Sequence, residues 1–157
     1  MMEVPATMPN PPTQPDPSAE PASEFPPILV CPLLTDAQLN ALFAASWPEH
    51  EPRAFGPVLE RSLVYCAAFE GERIVGFVNV AWDGGAHAFL LDPTVHPEVR
   101  HRGLGSALVR AATNAAAERG AEWLHVDFEP HLQGFYRALS FRHTEAGLLR
   151  LSSTESA

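Results

Sequence analysis

The alternation of apolar and polar positions divides this chain into short, sharply punctuated elements. An apolar run, ILVCPLL (28–34), predicts a first strand. Thr35 then precedes DAQLNALFAAS, where Leu39, Leu42 and Phe43 recur at helical spacing, which makes Thr35 the predicted N-cap. Residues 47–62 carry three prolines and a glycine, so a loop with one short helix is expected there. Between 62 and 82, β-branched and aromatic runs flank the turn EGER and predict a hairpin. DGG (83–85) makes the next turn, and AHAFLLDPTV (86–95) is a further strand. A helix is predicted over 105–119, where Leu104, Leu108, Ala111, Ala112 and Ala115 give it an apolar face and Gly120 ends it. A strand, AEWLHVDF (121–128), a short helix, HLQGFYRALS (131–140), and a last hairpin, FRHTEAGLLRL (141–151), complete the order. The class is α/β (α+β), one domain built on one mixed sheet.

Composition changes this picture at the N-terminus. Residues 1–27 hold nine of the sixteen prolines, four acids and no basic residue. Such a segment buries too little apolar surface to offset its ordering entropy, so a disordered, Pro-rich acidic tail is expected, with the folded domain over 28–157. The tail has no basic region followed by an apolar one, so it does not read as a secretory signal, and no apolar run reaches the length of a membrane span. A cytoplasmic, bacterial protein is the expectation. The net charge of −9 argues against a nucleic-acid partner, which selects for basic patches. All ten basic residues are arginine. Cys31 and Cys66 sit in apolar runs without a CxxC pattern and read as reduced, buried thiols.

The stretch with the most chemistry is VHPEVRHRGLGSALVRA (95–111). Glycine removes the side chain where something must approach the backbone, and it permits φ > 0. The first N–H groups of a helix lack internal partners and carry partial positive charge. Arginines beside them offer forked donors suited to phosphate oxygens. The combination points to a cradle for a phosphate or pyrophosphate. Taken alone, such a turn is equally a plain strand-to-helix connector. It is not a dinucleotide fingerprint: Leu108 stands where the third glycine of G-x-G-x-x-G would be, and three antiparallel strands precede it.

Two segments together resemble the GCN5-related N-acetyltransferase (GNAT) superfamily over about residues 28–151. Arg100-His101-Arg102-Gly103-Leu104-Gly105 is similar to the family's Arg/Gln-x-x-Gly-x-Gly/Ala signature, and FYRALSF (135–141) is similar to its aromatic-Tyr-x-x-x-Gly-Phe segment. The resemblance implies a sheet splayed between its fourth and fifth strands, with the pantetheine arm of acyl-CoA in the gap. Pro93 suits such a splay because it cannot donate to a ladder. The resemblance also implies that the backbone at Val95 and His96 pairs with the pantetheine amides. The Val95 N–H would polarise the thioester carbonyl, and Arg100, His101, Arg102, Gly103, Leu104, Gly105 and Ser106 would wrap the pyrophosphate. Acetyl-CoA is the default donor, no metal is implied, and the expected reaction is direct attack of an amine on the thioester.

Tyr136 matches the family tyrosine positioned to protonate the departing thiolate. For the general base the residues near the splay are Asp92, Asp127, Glu129 and His131, of which Asp92 and Glu129 rank first. Glu129 stands where many relatives carry an asparagine, and Ser140 replaces the usual glycine before Phe141. His125, between Leu124 and Val126, reads as a packed histidine, while His87 and His143 lack partners in the sequence. No His, Cys and Asp spacing suggests a metal site. The acceptor amine is not legible, and a homodimer is compatible with the pattern. A second class stands beside the enzyme: a non-catalytic GNAT-fold module that binds acyl-CoA and regulates a partner. A third, a toxin-like acylase of charged tRNA, calls for a basic surface that this chain lacks.

Overall fold

The computed structural model describes residues 25–152. Most of the segment read as a tail, residues 1–24, lies outside the described residues. One five-stranded sheet organises the fold, in the order β1 (Ile28–Val30), β2 (Val64–Glu70), β3 (Arg73–Trp82), β4 (His87–Val95) and β5 (Trp123–Val126). The first four strands pair antiparallel, and β5 joins β4 in parallel across the helix α3 (Leu104–Glu118). Alternation assigns the two faces. Val64, Cys66, Ala68, Val80, Ala88 and Leu90 pack under α3, while Ala67, Ile74 and Phe77 pack under α1 (Asp36–Ser46). Gly76 lets α3 sit close to β3, since a Cβ there would lie 2.6 Å from the Leu108 side chain.

The helix signals hold. Thr35 and Gln38 form a reciprocal capping box, with the Thr35 hydroxyl accepting from the Gln38 N–H at 3.1 Å and the Gln38 side chain accepting from the Thr35 N–H at 3.0 Å. Leu39, Leu42 and Phe43 are buried as their spacing requires. The 47–62 segment is a loop followed by α2 (Gly56–Arg61), with Pro57 in its first turn. After β5 the chain makes one 3-10 turn, Pro130–Leu132, and continues directly into α4 (Gln133–Ala138).

Several local expectations are corrected. Residues 141–152 form no strand, so the expected closing hairpin is not made. Leu148, Leu149 and Leu151 are 85%, 83% and 91% exposed. The adjacent pair Leu148-Leu149 breaks the period-2 alternation, so neither face of a strand there would be consistently apolar. β1 is shorter than its apolar run because Cys31 takes φ 49° and Pro32 follows. Cys31 is therefore exposed, whereas Cys66 is buried, its thiol pushed up to about 11, chiefly by burial. His125 is exposed rather than packed: it lies on the face opposite α3, stacks on Phe89 at 4.9 Å and sits 2.8 Å from His87. His143 lies 3.7 Å from Glu145. Upstream of the expected domain start, Phe25 packs on the core beneath α3.

Candidate active site

The site begins with a defect in β4. Phe77 faces Thr94 but Asn79 faces Leu91, so β4 carries one residue more than β3 between these pairs. The bulge falls at Asp92 and Pro93; Asp92 takes φ 53°, a left-handed conformation that aspartate tolerates better than most residues, and Pro93 has no N–H to give. The parallel ladder with β5 stops at Leu90 and Val126, five residues before β4 ends. Beyond that point the two strands diverge. The His96 N–H donates to the Val75 carbonyl at 2.8 Å, and antiparallel alternation therefore turns the Val95 N–H and C=O toward the gap.

The gap opens into a cleft of about 670 Å³. Its lining comes from both faces of the sheet. Val95, Leu104, Phe135 and Tyr136 enter from the α3 side, while Thr94, opposite Phe77, and Trp47 enter from the α1 side. The cleft therefore runs through the sheet and opens on both of its faces.

At the α3 end lies the glycine turn. Gly103 is the N-cap at φ 85°, ψ 4°, without a side-chain cap, and the N–H groups of Leu104, Gly105 and Ser106 have no intrahelical acceptor. Arg100, His101, Gly103, Leu104, Gly105 and Ser106 all line the cleft. The Arg100 Nε donates to the Val95 carbonyl at 3.0 Å, which ties the turn to the open strand edge. Arg102 is exposed and outside the lining. His96 turns inward: its N–H goes to Val75, its carbonyl accepts from Val99, and its ring accepts from the Glu98 N–H at 3.2 Å. Of the two residues, Val95 has its N–H facing the gap, while the His96 N–H is taken within the sheet.

Tyr136 is 3% exposed and lines the cleft. Its ring is stacked on Phe128 at 4.7 Å and edge-on to Phe135 and Phe141 at 4.9 and 5.5 Å. Three aromatic neighbours fix the ring and leave the phenol without a hydrogen-bond partner among the described residues. Burial raises its pKa above the ordinary tyrosine value, which keeps it a proton donor through neutral pH.

The acidic candidates separate. Asp92, at the bulge, is exposed and lies 3.7 Å from the Arg53 guanidinium, immediately before the lining residues Pro93 and Thr94. Glu129 is exposed at the start of the 3-10 turn, outside the lining. His131 is exposed and also outside it, and Asp127 lines a different groove between β5 and the 139–146 segment. Sequence reasoning missed Trp47, Thr94 and Leu132 as lining residues. Nothing local marks them: Trp47 sits in a proline-broken loop, and only tertiary packing brings its indole N–H to the Thr94 hydroxyl at 3.4 Å. Among the described residues no cluster of three or more His, Cys, Asp and Glu could hold a metal, and no helix is long and apolar enough to cross a membrane.

A mixed sheet that parts at a bulge, with a glycine turn feeding a helix beside the gap, defines a class of acyl-transfer domain. The model of the Acetyltransferase (GNAT) family matches residues 34–141, and the chain belongs to that family. A mycothiol acetyltransferase of Mycolicibacterium vanbaalenii is 33% identical over 78 residues, which is 50% of this chain and 25% of the relative's length. A GNAT-family acetyltransferase structure from Streptococcus pneumoniae TIGR4 superimposes with TM-score 0.66 at 23% identity, covering 80% of this chain and 98% of that one. The aminoglycoside N-acetyltransferase AAC(6')-Iy in complex with CoA gives TM-score 0.63 at 21% identity, covering 80% and 93%. The last two establish likeness of fold.

Proposed function

We propose that this protein is an acyl-CoA-dependent N-acyltransferase that transfers acetyl from acetyl-CoA directly to a primary amine of a small molecule or protein. The observation that carries the reading is the cleft through the sheet, with Val95 and Tyr136 inside it and the Gly103–Ser106 turn at one end. The bound thioester supplies the acyl group. A CoA complex of a solved structure of this fold supports such a ligand here, and the residues suit it: α3 presents uncapped N–H groups, and a Cβ at Gly105 would stand against the lining residues Val95 and Phe135, at 3.7 and 3.8 Å, in space the glycine leaves free.

In this reading the Val95 N–H, directed into the gap, donates to the carbonyl oxygen where negative charge develops. Tyr136 holds its proton for the departing sulfur. Arg100, anchored on Val95, adds countercharge at the turn. Asp92, at the α1-side mouth, receives the acceptor ammonium and takes its proton. No side chain on this path forms a covalent link to the acyl group, so both substrates are held together and transfer is direct. Soluble acetyl-CoA and an amine are the partners assigned.

The experiment is thiol release from acetyl-CoA against a panel of primary amines, with acetyl-CoA binding measured in parallel by calorimetry. Amine-dependent release at rates well above hydrolysis supports the reading. Binding without release for any amine overturns it in favour of a non-catalytic module, a reading favoured by one observation: among the described residues no carboxylate lines the cleft itself.

A further inference from the structure

We propose that the acceptor is an arylalkylamine, a single primary ammonium on a short chain that ends in an aromatic ring, and that Trp47 is the residue selecting it. The inference rests on the N-acyltransferase reading and adds the substrate class. It starts from an oddity of burial. Trp47 follows α1 directly and is 52% exposed, although Leu39, Leu42 and Phe43 already fill the core beneath that helix. The fold has no packing use for half of that indole.

Yet the residue is held at both ends. Its backbone N–H donates to the Phe43 carbonyl at 2.8 Å and closes α1, and its indole N–H reaches Thr94 at the β4 bulge. The loop that follows is equally fixed. The Asn40 side chain accepts from the Arg53 N–H at 3.0 Å, donates to the Arg53 carbonyl at 2.8 Å and lies 2.8 Å from His50. Asp36 accepts from the Phe55 N–H at 2.9 Å. A wall clamped in this way loses little conformational freedom when a ligand arrives, and preorganisation of this kind favours affinity.

The chemistry of the wall then selects. Around the α1-side mouth the lining is Trp47, Pro93 and Thr94, and among the described residues it carries no charged side chain. A ring lying against the indole gains burial and an offset or edge-on aromatic contact. A polyamine or an aminoglycoside would instead bring several cations or hydroxyls against the indole face and Pro93, which cannot hydrogen-bond them, and unpaired polar groups are expensive there. Next to Pro93 and Thr94 the Asp92 carboxylate and the Arg53 guanidinium lie 3.7 Å apart. Arg53 rests on the faces of Phe55 and Phe43, at 4.7 and 5.7 Å from their centroids, so it is held independently of Asp92. An arriving ammonium can therefore share the Asp92 carboxylate. A cation beside a flat apolar body matches what the mouth offers.

The test uses the full chain, with phenethylamine, ethylamine, spermidine and kanamycin as acceptors in thiol release. Phenethylamine should exceed ethylamine at least tenfold in kcat/KM, with spermidine and kanamycin below both. In Trp47→Ala the phenethylamine-to-ethylamine ratio should collapse toward one, a loss of about tenfold. Trp47→Phe, which keeps a ring, should retain most of the ratio, and acetyl-CoA binding by calorimetry checks that both variants are folded. A preference for spermidine or kanamycin, or an unchanged ratio in Trp47→Ala, overturns the inference while leaving N-acyl transfer standing. Acetyl-CoA binding with no release for any amine overturns both together.

Discussion

The two mouths of the cleft are built in opposite ways. At the α3 end the polar groups offered are mainly backbone: Leu104, Gly105 and Ser106 present N–H groups from one contiguous turn capped by Gly103. At the α1 end it is side chain, drawn from separate places: Trp47 from the end of α1 and Thr94 from β4. A backbone cradle tolerates little change, because its shape depends on φ angles that only certain residues adopt. A side-chain wall can be replaced one residue at a time without altering the fold. The difference teaches where a shared donor and a variable acceptor would be read, and mutations can break it or sharpen it.

The largest effect is expected between the two mouths, at Tyr136. Tyr136→Phe preserves the contacts with Phe128, Phe135 and Phe141 but removes the proton donor. General acid catalysis is worth about 10²–10⁴ in rate, so kcat should fall by that factor with little change in KM for acetyl-CoA. Burial raises the Tyr136 pKa, so the acid form persists as pH rises, and the wild-type rate should show no decline from phenol ionisation below about pH 10. Steady-state kinetics across pH checks both statements, and a wild-type rate in Tyr136→Phe would remove the tyrosine from the mechanism.

A smaller effect tests the backbone mouth. Gly103→Val places a β-branched residue at φ 85° and sets its Cβ 3.3 Å from the Phe25 ring. Left-handed strain of this kind costs roughly 1–3 kcal/mol. Acetyl-CoA affinity should fall about tenfold or more and the melting temperature should drop by several degrees, read by calorimetry and thermal unfolding. Unaltered affinity would mean that the turn does not hold the donor.

The smallest effect separates the two carboxylates ranked from the sequence. Asp92 stands at the α1-side mouth, and Glu129 stands outside the lining. Because water reaches the exposed Asp92 and can take over part of its role, Asp92→Asn should lower kcat/KM for the amine only about tenfold, below the usual range of base catalysis, and weaken its rise with pH, whereas Glu129→Gln should stay within about twofold. A reversed ranking would move the acceptor site to the other side of the splay.

Much of the fold was legible because its signals are local. The Thr35 capping box, the apolar faces of α1 and α3, and the turns at 71–72 and 83–85 each follow from a few neighbouring residues. The hairpin expected at 141–151 was not formed, because a strand also requires a partner edge and a consistent face, and neither is written in the segment itself. His125 was misread for a related reason. A histidine between two apolar residues of a strand alternates with them, so when Leu124 and Val126 turn toward α3 the histidine must face the other way.

By itself the sequence determined the Arg100–Ser106 turn, the proline that weakens β4, and Tyr136 in its aromatic setting, since each depends on residues within a few positions of one another. Only the tertiary structure decided that the β4–β5 ladder stops at Leu90 and Val126, that His96 turns inward while Val95 faces the gap, and that Trp47 meets Thr94 across 47 positions of chain. Long-range contacts of this kind follow from how α1 and the sheet pack together, and no local spacing encodes that packing.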